Sequence, residues 1–197
     1  MTTGLRARKK EATRETIADA TLALACEVGP DVVTVEQIAE AADVSPRTFF
    51  NYFGSKEDAL FSMRPGRLEE MLATLQERPD DEPSLDALRA ALVVSTDSFT
   101  EQAERWSRRL RLVREHPYLL SNYLATYSDI EDALVRVLAQ RLGADPDRDL
   151  SPKLFVGVAV AALRIAVNHW QEAETTRSLE ELVDEAFTTL TTGLEGE

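Results

Sequence analysis

The sequence contains few of the residues that interrupt helices or form cross-links. Among 197 residues there are eight glycines, eight prolines and a single cysteine, Cys26. One cysteine excludes an intrachain disulfide framework, and it also excludes a zinc module built on several cysteines. The glycines and prolines cluster at a few points, and the stretches between them are therefore expected to form long regular elements.

Long apolar runs and an excess of positive charge are also missing. The longest apolar run, Phe155–Leu163, is far shorter than the roughly 18 residues that cross a bilayer, and no apolar signal segment follows the charged N-terminus. We therefore predict a cytoplasmic protein without a membrane partner. Twenty-two Lys and Arg residues against 35 Asp and Glu residues give a net charge of −13. That balance by itself argues against nucleic-acid binding.

Sequence motifs of common enzymes are absent as well. There is no G-x-S-x-G, no glycine-rich phosphate loop and no HExxH. His116 and His169 have no acidic residue three positions before them, which disfavours a di-iron bundle. Cys26 lies beside Leu24 and Val28 and is predicted to be buried and inert. We predict no catalytic residue, no metal and no cofactor.

What the sequence does have is apolar residues at helical spacing. Ile17, Ala20, Leu24 and Val28 fall on one helix face, and Gly29 then ends that helix. Helix starts are predicted at Thr34, Ser45, Ser55, Ser84, Ser151 and Ser178, because small hydroxyl residues cap helix N-termini. Pro65-Gly66 is expected to kink or interrupt the helix that starts after Ser55. The pattern predicts an all-α fold of about nine helices without a sheet.

Two short predicted helices, about Val35–Ala42 and Pro46–Tyr52, have the spacing of a helix-turn-helix. Ala39 supplies a small residue where the helices would cross, and Val44 is an apolar plug for the turn. Phe49 and Phe53, four residues apart, form the buried side of the second helix. The residues left to face outward are Ser45, Arg47, Thr48, Asn51 and Tyr52.

The segment from Thr34 to Leu60, TVEQIAEAADVSPRTFFNYFGSKEDAL, resembles the DNA-binding signature of the TetR (tetracycline repressor) family. The similarity extends over about Arg14–Phe61. It implies an all-helical homodimeric repressor whose first three helices bind DNA and whose larger C-terminal domain dimerises and binds a small ligand. We accordingly predict a DNA-binding domain at residues 1–55 and a ligand-binding and dimerisation domain at residues 56–197.

The resemblance also implies roles for individual residues. Phosphate contacts are expected from Thr34, Arg47, Tyr52 and Lys56. Base edges are expected to be read by Ser45, Arg47, Thr48 and Asn51, since Arg pairs best with guanine and Asn with adenine. A basic arm before the helix-1 core consists of Arg6, Arg8, Lys9, Lys10 and Arg14. The alternative for this arm is a solvated helix face.

Two positions depart from the commonest family pattern. Asp43 occupies the turn where the family usually has Gly, and the turn requires a positive φ, which Asp tolerates better than most residues. Phe50 replaces a frequent Tyr, whose hydroxyl would donate to a phosphate. The fold is expected to persist at both positions, but the phosphate contact at position 50 is lost.

The C-terminal half is similar, from Pro79 to Arg89 and through Arg105–Tyr118, to the mycofactocin-system regulators of the TetR family. That similarity implies a fatty acyl-CoA-like ligand. The predicted pocket residues, which combine aromatic area with hydrogen-bonding groups, are Trp106, Arg109, His116, Tyr118, Asn122, Tyr123, Tyr127 and Asn168. Arginines at positions 105, 108, 109, 111 and 114 suit an anionic head group; alternatively, they pair with acidic residues on the surface.

The family resemblance implies a four-helix bundle between subunits. We predict that small residues of the helix after Ser151 and apolar residues of the last helix form it. The interface residues are Gly157, Ala161, Leu182, Phe187 and Leu190; the alternative is an intrachain core. The predicted function is ligand-responsive repression through a pseudo-palindromic operator. One alternative is a TetR-type regulator that has another ligand or acts as an activator. The other is a helical adaptor that binds no DNA, which would not explain the solvent-facing Arg47 and Asn51.

Overall fold

The computed structural model describes residues 3–93, 96–172 and 177–193, without the side chains of residues 3–7, 96–99 and 172. All regular elements in these ranges are helical, which confirms the all-α prediction. They are α1 Thr3–Val28, α2 Val35–Ala41, α3 Pro46–Tyr52, α4 Lys56–Phe61, α5 Arg67–Glu77, α6 Ser84–Leu92, α7 Thr96–Glu115, a 3-10 turn Pro117–Leu119, α8 Leu120–Leu142, α9 Leu150–Glu172 and α10 Leu179–Thr192.

Most of the predicted helix starts are capped as expected. Thr34 and Gln37 form a reciprocal capping box at α2, and Ser178 forms another with Glu181 at α10. Ser45 accepts a hydrogen bond from the Thr48 amide at 3.1 Å, and Ser55 accepts one from the Asp58 amide. Each hydroxyl thus satisfies an amide that the first helical turn leaves without a partner.

The helix expected from Ser55 towards Leu75 is interrupted, as predicted: α4 ends at Phe61, Ser62 is extended, and α5 begins at Arg67, directly after Gly66 with a φ of +80°. Three other helix boundaries differ from the prediction. One is the start of α9, which begins at Leu150, so Ser151 lies inside the helix and does not cap it. The helix predicted to include both Leu85 and Phe99 ends at Leu92. Ser84 is the first residue of α6 rather than its cap, since Pro83 occupies the cap position without a side-chain hydrogen bond.

The chain forms two compact units. The first consists of Met1–Arg67 and Arg108–Tyr127, and the second of Leu68–Ser107 and Ser128–Glu197. The first unit thus joins α1 to α4 with the second half of α7 and the start of α8. The predicted boundary after residue 55 concerns function rather than packing, and it stays a prediction.

Each unit has its own buried core. In the first unit, Ile17, Ile38 and Phe49 are fully buried in one cluster, while Phe61 and Leu119 belong to a second. Cys26 packs against that second cluster and is half-buried rather than fully buried. In the second unit, α9 packs against α6 and α10, with Val156, Val167 and Val183 at most 1% exposed.

One segment, Leu150–Gln171 in α9, is long and apolar enough to cross a membrane by length and composition alone. Polar residues interrupt this segment, so it contains no single apolar run of that length. Helices in the cores of soluble proteins have the same property, and α9 packs against two other helices of its unit. The absence of a membrane partner stays a prediction.

Candidate nucleic-acid interface

The turn between α2 and α3 has the geometry that the sequence predicts. Asp43 has a φ of +52°. The Asp43 amide donates to the Glu40 carbonyl at 3.1 Å, and the Val44 amide donates to the Ala39 carbonyl at 2.9 Å. This pair of bonds is a Schellman motif, which ends α2 and satisfies two of its last carbonyls. Ala39 is 1% exposed, as expected for the residue where the two helices meet closely.

One side of α3 is anchored in the core. Phe49 is fully buried and Phe53 is 4% exposed, and their ring centroids lie 5.9 Å apart. Val44 packs partly buried against the same cluster, so it plugs the turn as predicted. The buried phenylalanines thereby fix which face of α3 remains in solvent.

The opposite face of α3 carries most of the residues predicted to contact DNA. Ser45, Arg47 and Asn51 are exposed, and Thr48 is half-buried. Tyr52 instead packs partly buried against the core cluster that contains Phe49, so the prediction that it faces outward is wrong. Ser45 and Thr48 also share a hydrogen bond between their hydroxyls at 2.9 Å. Phe50 is 57% exposed on this helix. Thr34 is exposed at the start of α2. DNA contact by these residues stays a prediction, and the solvent-facing placement of all but Tyr52 is compatible with it.

Lys56, predicted to contact phosphate, and Arg14, predicted to belong to the DNA-binding arm, make intramolecular hydrogen bonds. The Lys56 ammonium donates to the Pro30 and Val33 carbonyls at 2.7 and 2.9 Å. The Arg14 guanidinium donates through Nη1 to the Tyr52 carbonyl at 2.8 Å. Both therefore hold elements of the helix-turn-helix unit together, a role that the sequence analysis missed because the carbonyls lie 23 to 38 positions away.

The remaining residues of the predicted arm lie on α1. Arg8, Lys9 and Lys10 are exposed. The side chain of Arg6 lies outside the described part of the chain. Whether the arm binds DNA or is a solvated helix face stays open.

The predicted ligand residues divide between the two units. Trp106 and Asn168 belong to the second unit; the other six belong to the first. In the first unit, the Tyr123 and Tyr127 rings lie 4.5 Å apart and Phe61 lies 6.0 Å from Tyr123. Asn122, the residue before Tyr123, is half-buried. Tyr123 and Tyr127 thus form an aromatic cluster with Phe61, and the contact of this cluster with a ligand stays a prediction.

His116 and Tyr118 face the loop between α1 and α2. His116 Nδ1 lies 3.1 Å from a carboxylate oxygen of Asp31. Desolvation, the largest cause, and a hydrogen bond with Asp31 raise the pKa of Tyr118 to about 12. Both predicted pocket residues are thus engaged with the segment that leads into α2.

Arg109 is 8% exposed and binds the end of α4. Its Nε donates to the Leu60 carbonyl at 2.7 Å and its Nη2 to the Ser62 carbonyl at 2.9 Å. These carbonyls belong to the last turn of a helix, where cations are favoured. The predicted anion-binding role of Arg109 is untested and would compete with this structural one.

In the second unit, the surface alternative for the arginines is supported at one position. Arg105 forms a salt bridge with Glu101 at 3.0 Å. Arg108, Arg111 and Arg114 belong to the first unit and are exposed. Asn168 has a buried Oδ1 without a hydrogen-bond partner among the described atoms.

The predicted dimer residues do not share one environment. Leu182 and Phe187 are 6% and 2% exposed within the single chain, so their side chains belong to the intrachain core, the alternative considered above. Gly157 is exposed, and Ala161 and Leu190 are half-buried. The sequence analysis missed three exposed apolar residues on the face of α9 that holds Gly157 and Ala161. They are Leu150, Leu154 and Ile165, at 73%, 55% and 59% exposure.

Comparison with known proteins places the chain in a family. Residues 17–63 match the model described as "Bacterial regulatory proteins, tetR family", and residues 82–195 match the "MftR C-terminal domain". The chain is 38% identical over 173 residues to the HTH-type transcriptional regulator TcmR of Streptomyces glaucescens, covering 85% of this chain and 76% of that protein.

Two further proteins are similar over nearly the whole chain. MftR of Mycobacterium tuberculosis, described as a candidate regulator of mycofactocin biosynthesis, is 27% identical over 191 residues, which span 95% of this chain and 94% of that protein. The structure of Thermus thermophilus FadR, a TetR-family repressor in complex with lauroyl-CoA, shares the fold with a TM-score of 0.59 at 21% identity, covering 93% and 96% of the two chains. The chain belongs to the TetR family of bacterial transcriptional regulators.

Proposed function

We propose that this regulator is a homodimeric repressor that reads a pseudo-palindromic operator through α3 and leaves it when a small hydrophobic ligand binds. The observation that carries the proposal is the division of α3 into two faces. Phe49 and Phe53 are buried, while Arg47 and Asn51, which suit guanine and adenine edges, remain exposed. A two-fold dimer requires two half-sites about one helical turn apart, roughly 34–36 Å.

The distribution of charge is compatible with DNA binding. Residues 1–60 hold seven basic and ten acidic side chains, and residues 61–197 hold 15 and 25, so most of the acidity lies outside the N-terminal region. A dimer of chains that each carry −13 repels the polyanion at long range. Non-specific affinity is then weak, and stable binding depends on a matched site where phosphate contacts and base readout act together.

The exposed apolar face of α9 supports dimerisation. We define the α9 stripe as Leu150, Leu154, Gly157, Ala161 and Ile165. Their spacing places them on one side of the helix, and three of them are large apolar residues that are more than half exposed. Small residues at 157 and 161 permit close approach of a second helix. Burial of the stripe against a second copy would remove these side chains from water.

A fatty acyl-CoA-like ligand is the effector that we propose. The match of residues 82–195 to the MftR C-terminal domain supports a ligand-binding half of that type. The related fold of Thermus thermophilus FadR holds lauroyl-CoA. In the second unit, the buried Asn168 Oδ1 has no hydrogen-bond partner among the described atoms, and a ligand amide or hydroxyl would satisfy it. A different ligand, or activation instead of repression, is the second candidate.

The ligand can act only by binding one conformation of the dimer better than the other. We propose that the segment from Ser55 to about Arg78, which the sequence predicts to be kinked or interrupted at Pro65-Gly66, transmits this change. In the structure the segment is interrupted, since α4 ends at Phe61 and α5 begins at Arg67.

The test is selection of bound sequences from a random DNA pool, followed by affinity measurement with Arg47→Ala. Loss of a good base contact costs about 1–3 kcal/mol, so the variant is expected to bind the selected operator roughly 5- to 150-fold more weakly. Arg136→Ala is the matched control, because Arg136 is an exposed arginine on α8. Failure of the wild-type protein to enrich any sequence would favour the alternative of a helical adaptor that binds no DNA. Unchanged affinity of Arg47→Ala would refute the proposed base contact of Arg47.

A further inference from the structure

The recognition helix α3 requires support from outside its own sequence. It has seven residues, well below the roughly 12–15 at which an isolated helix becomes marginally stable. No basic residue lies in its last turn. Its final carbonyls have no intrahelical donor, and Phe53 leaves the helix in an extended conformation. Contacts at its C-terminal end therefore add to the anchoring that the buried Phe49 and Phe53 provide.

Arg14 of α1 holds that end with two contacts on consecutive residues. Its Nη1 donates to the Tyr52 carbonyl at 2.8 Å, and its guanidinium carbon lies 4.2 Å from the centre of the Phe53 ring. A cation at a helix C-terminus complements the helix dipole, and a planar guanidinium over an aromatic face adds a cation–π interaction. Desolvation is the main influence on the pKa of Arg14, lowering it, and Asp58 opposes this effect.

We propose that Arg14 is a positioning residue that orients α3 for base readout, and that it is not one of the phosphate-binding residues of the basic arm. The inference rests on the proposed function, in which α3 reads the operator. A hydrogen bond and a ring contact at adjacent positions constrain both the location and the tilt of the helix end. Lysine preserves the charge but has neither the planar fork nor the stacking surface.

The two roles predict different salt dependence. The plot of log K against log salt concentration has a negative slope, and each lost phosphate contact reduces its magnitude by about 0.9. A misoriented α3 keeps its phosphate-binding cations and loses base discrimination. Because the ratio of operator affinity to scrambled-DNA affinity is independent of the folded fraction, a variant that is merely less stable leaves this ratio unchanged.

The experiment uses the full chain and a duplex selected by the wild-type protein, with a scrambled duplex of equal length and composition. Anisotropy titrations over a salt series are run for Arg14→Lys, Arg14→Gln and the arm control Lys10→Ala, an exposed α1 cation. Circular dichroism checks helicity at the titration temperature. We expect both Arg14 variants to lose about tenfold in the operator-to-scrambled ratio, with a salt slope equal to that of the wild type.

An unchanged ratio in Arg14→Lys would overturn the proposal, as would an Arg14→Gln slope reduced by the amount expected for a phosphate contact. Loss of helicity in both variants would also overturn it, because Arg14 would then determine folding and not orientation. If the wild-type protein itself does not discriminate between the two duplexes, it is the proposed function that fails.

Discussion

At the scale of the residue, several long cationic side chains bind the protein's own backbone. Lys56 donates to carbonyls of the loop before α2, and Arg109 donates to carbonyls at the end of α4. Arg141 does the same for the Arg78 and Pro79 carbonyls after α5, at 2.6 and 2.7 Å. Carbonyls at helix ends and in loops lack intrahelical donors, so a cation from another segment stabilises them.

The left-handed backbone conformation of Asp43 has an energetic cost that can be measured directly. Its φ of +52° is disfavoured for a residue with a Cβ and is accessible to glycine without that cost. We expect Asp43→Gly to raise the free energy of unfolding by about 0.5–1 kcal/mol in urea titrations followed by circular dichroism. Asp129→Gly, in the interior of α8, is the control and is expected to lower the free energy of unfolding by about 0.1–0.3 kcal/mol. Destabilisation by Asp43→Gly would contradict this account of the turn.

At the scale of the element, the helices differ in what stabilises them. The four-residue spacing of Phe49 and Phe53 gives α3 a buried side despite its short length. In contrast, α9 is long and apolar on more than one side: Val156 and Val167 face the core of the second unit, while the α9 stripe faces away from it. We expect a second copy of the chain to cover the apolar face that the helix's own unit leaves exposed, in line with the proposed dimer.

The α9 stripe predicts a specific effect of charge. We expect Leu154→Asp combined with Ile165→Asp to reduce the mass measured by light scattering from that of a dimer to that of the 21.9 kDa chain. Operator affinity should fall in parallel, because the two recognition helices are no longer linked.

Leu124→Asp on α8 is a closely matched control, since Leu124 is 54% exposed and Leu154 is 55% exposed. This variant is expected to remain dimeric. A dimer that persists in the doubly charged variant would exclude the stripe as the subunit interface.

At the scale of the whole molecule, the proposed function links the acidity of the chain to its selectivity. The net charge of −13 per chain opposes indiscriminate DNA binding, so we expect a matched operator to supply most of the affinity. A ligand that alters the match between the two recognition helices and the half-sites then has a large effect, because little non-specific affinity remains to retain the protein on DNA.

Release by a fatty acyl-CoA is the prediction that belongs to this scale. Lauroyl-CoA is expected to weaken operator binding by about 5- to 150-fold in a mobility assay, the usual range of coupling between two sites. Coenzyme A alone and free lauric acid are the controls, since each retains only one part of the ligand. If acyl-CoAs of short, medium and long chains all leave the complex intact, the effector belongs to another chemical class.

The sequence by itself determined the features whose causes are local. Helix periodicity, the caps at Thr34, Ser45 and Ser178 and the positive φ at Asp43 each depend on residues within about one turn of the chain. The helix-turn-helix and its exposed face were predictable for the same reason. The break at Gly66 was predicted only as a kink or an interruption, because local signals do not decide between the two.

Tertiary structure alone decided the features that depend on distant partners. Arg14 meets Tyr52 and Arg109 meets Leu60 across 38 and 49 positions, so no local pattern distinguishes these cations from exposed ones. Leu182 and Phe187 have the spacing of an interface and of a core alike, and only packing against other helices places them in the core. The physical reason is that burial and capping are properties of three-dimensional neighbours, whereas helix formation is largely a property of adjacent residues.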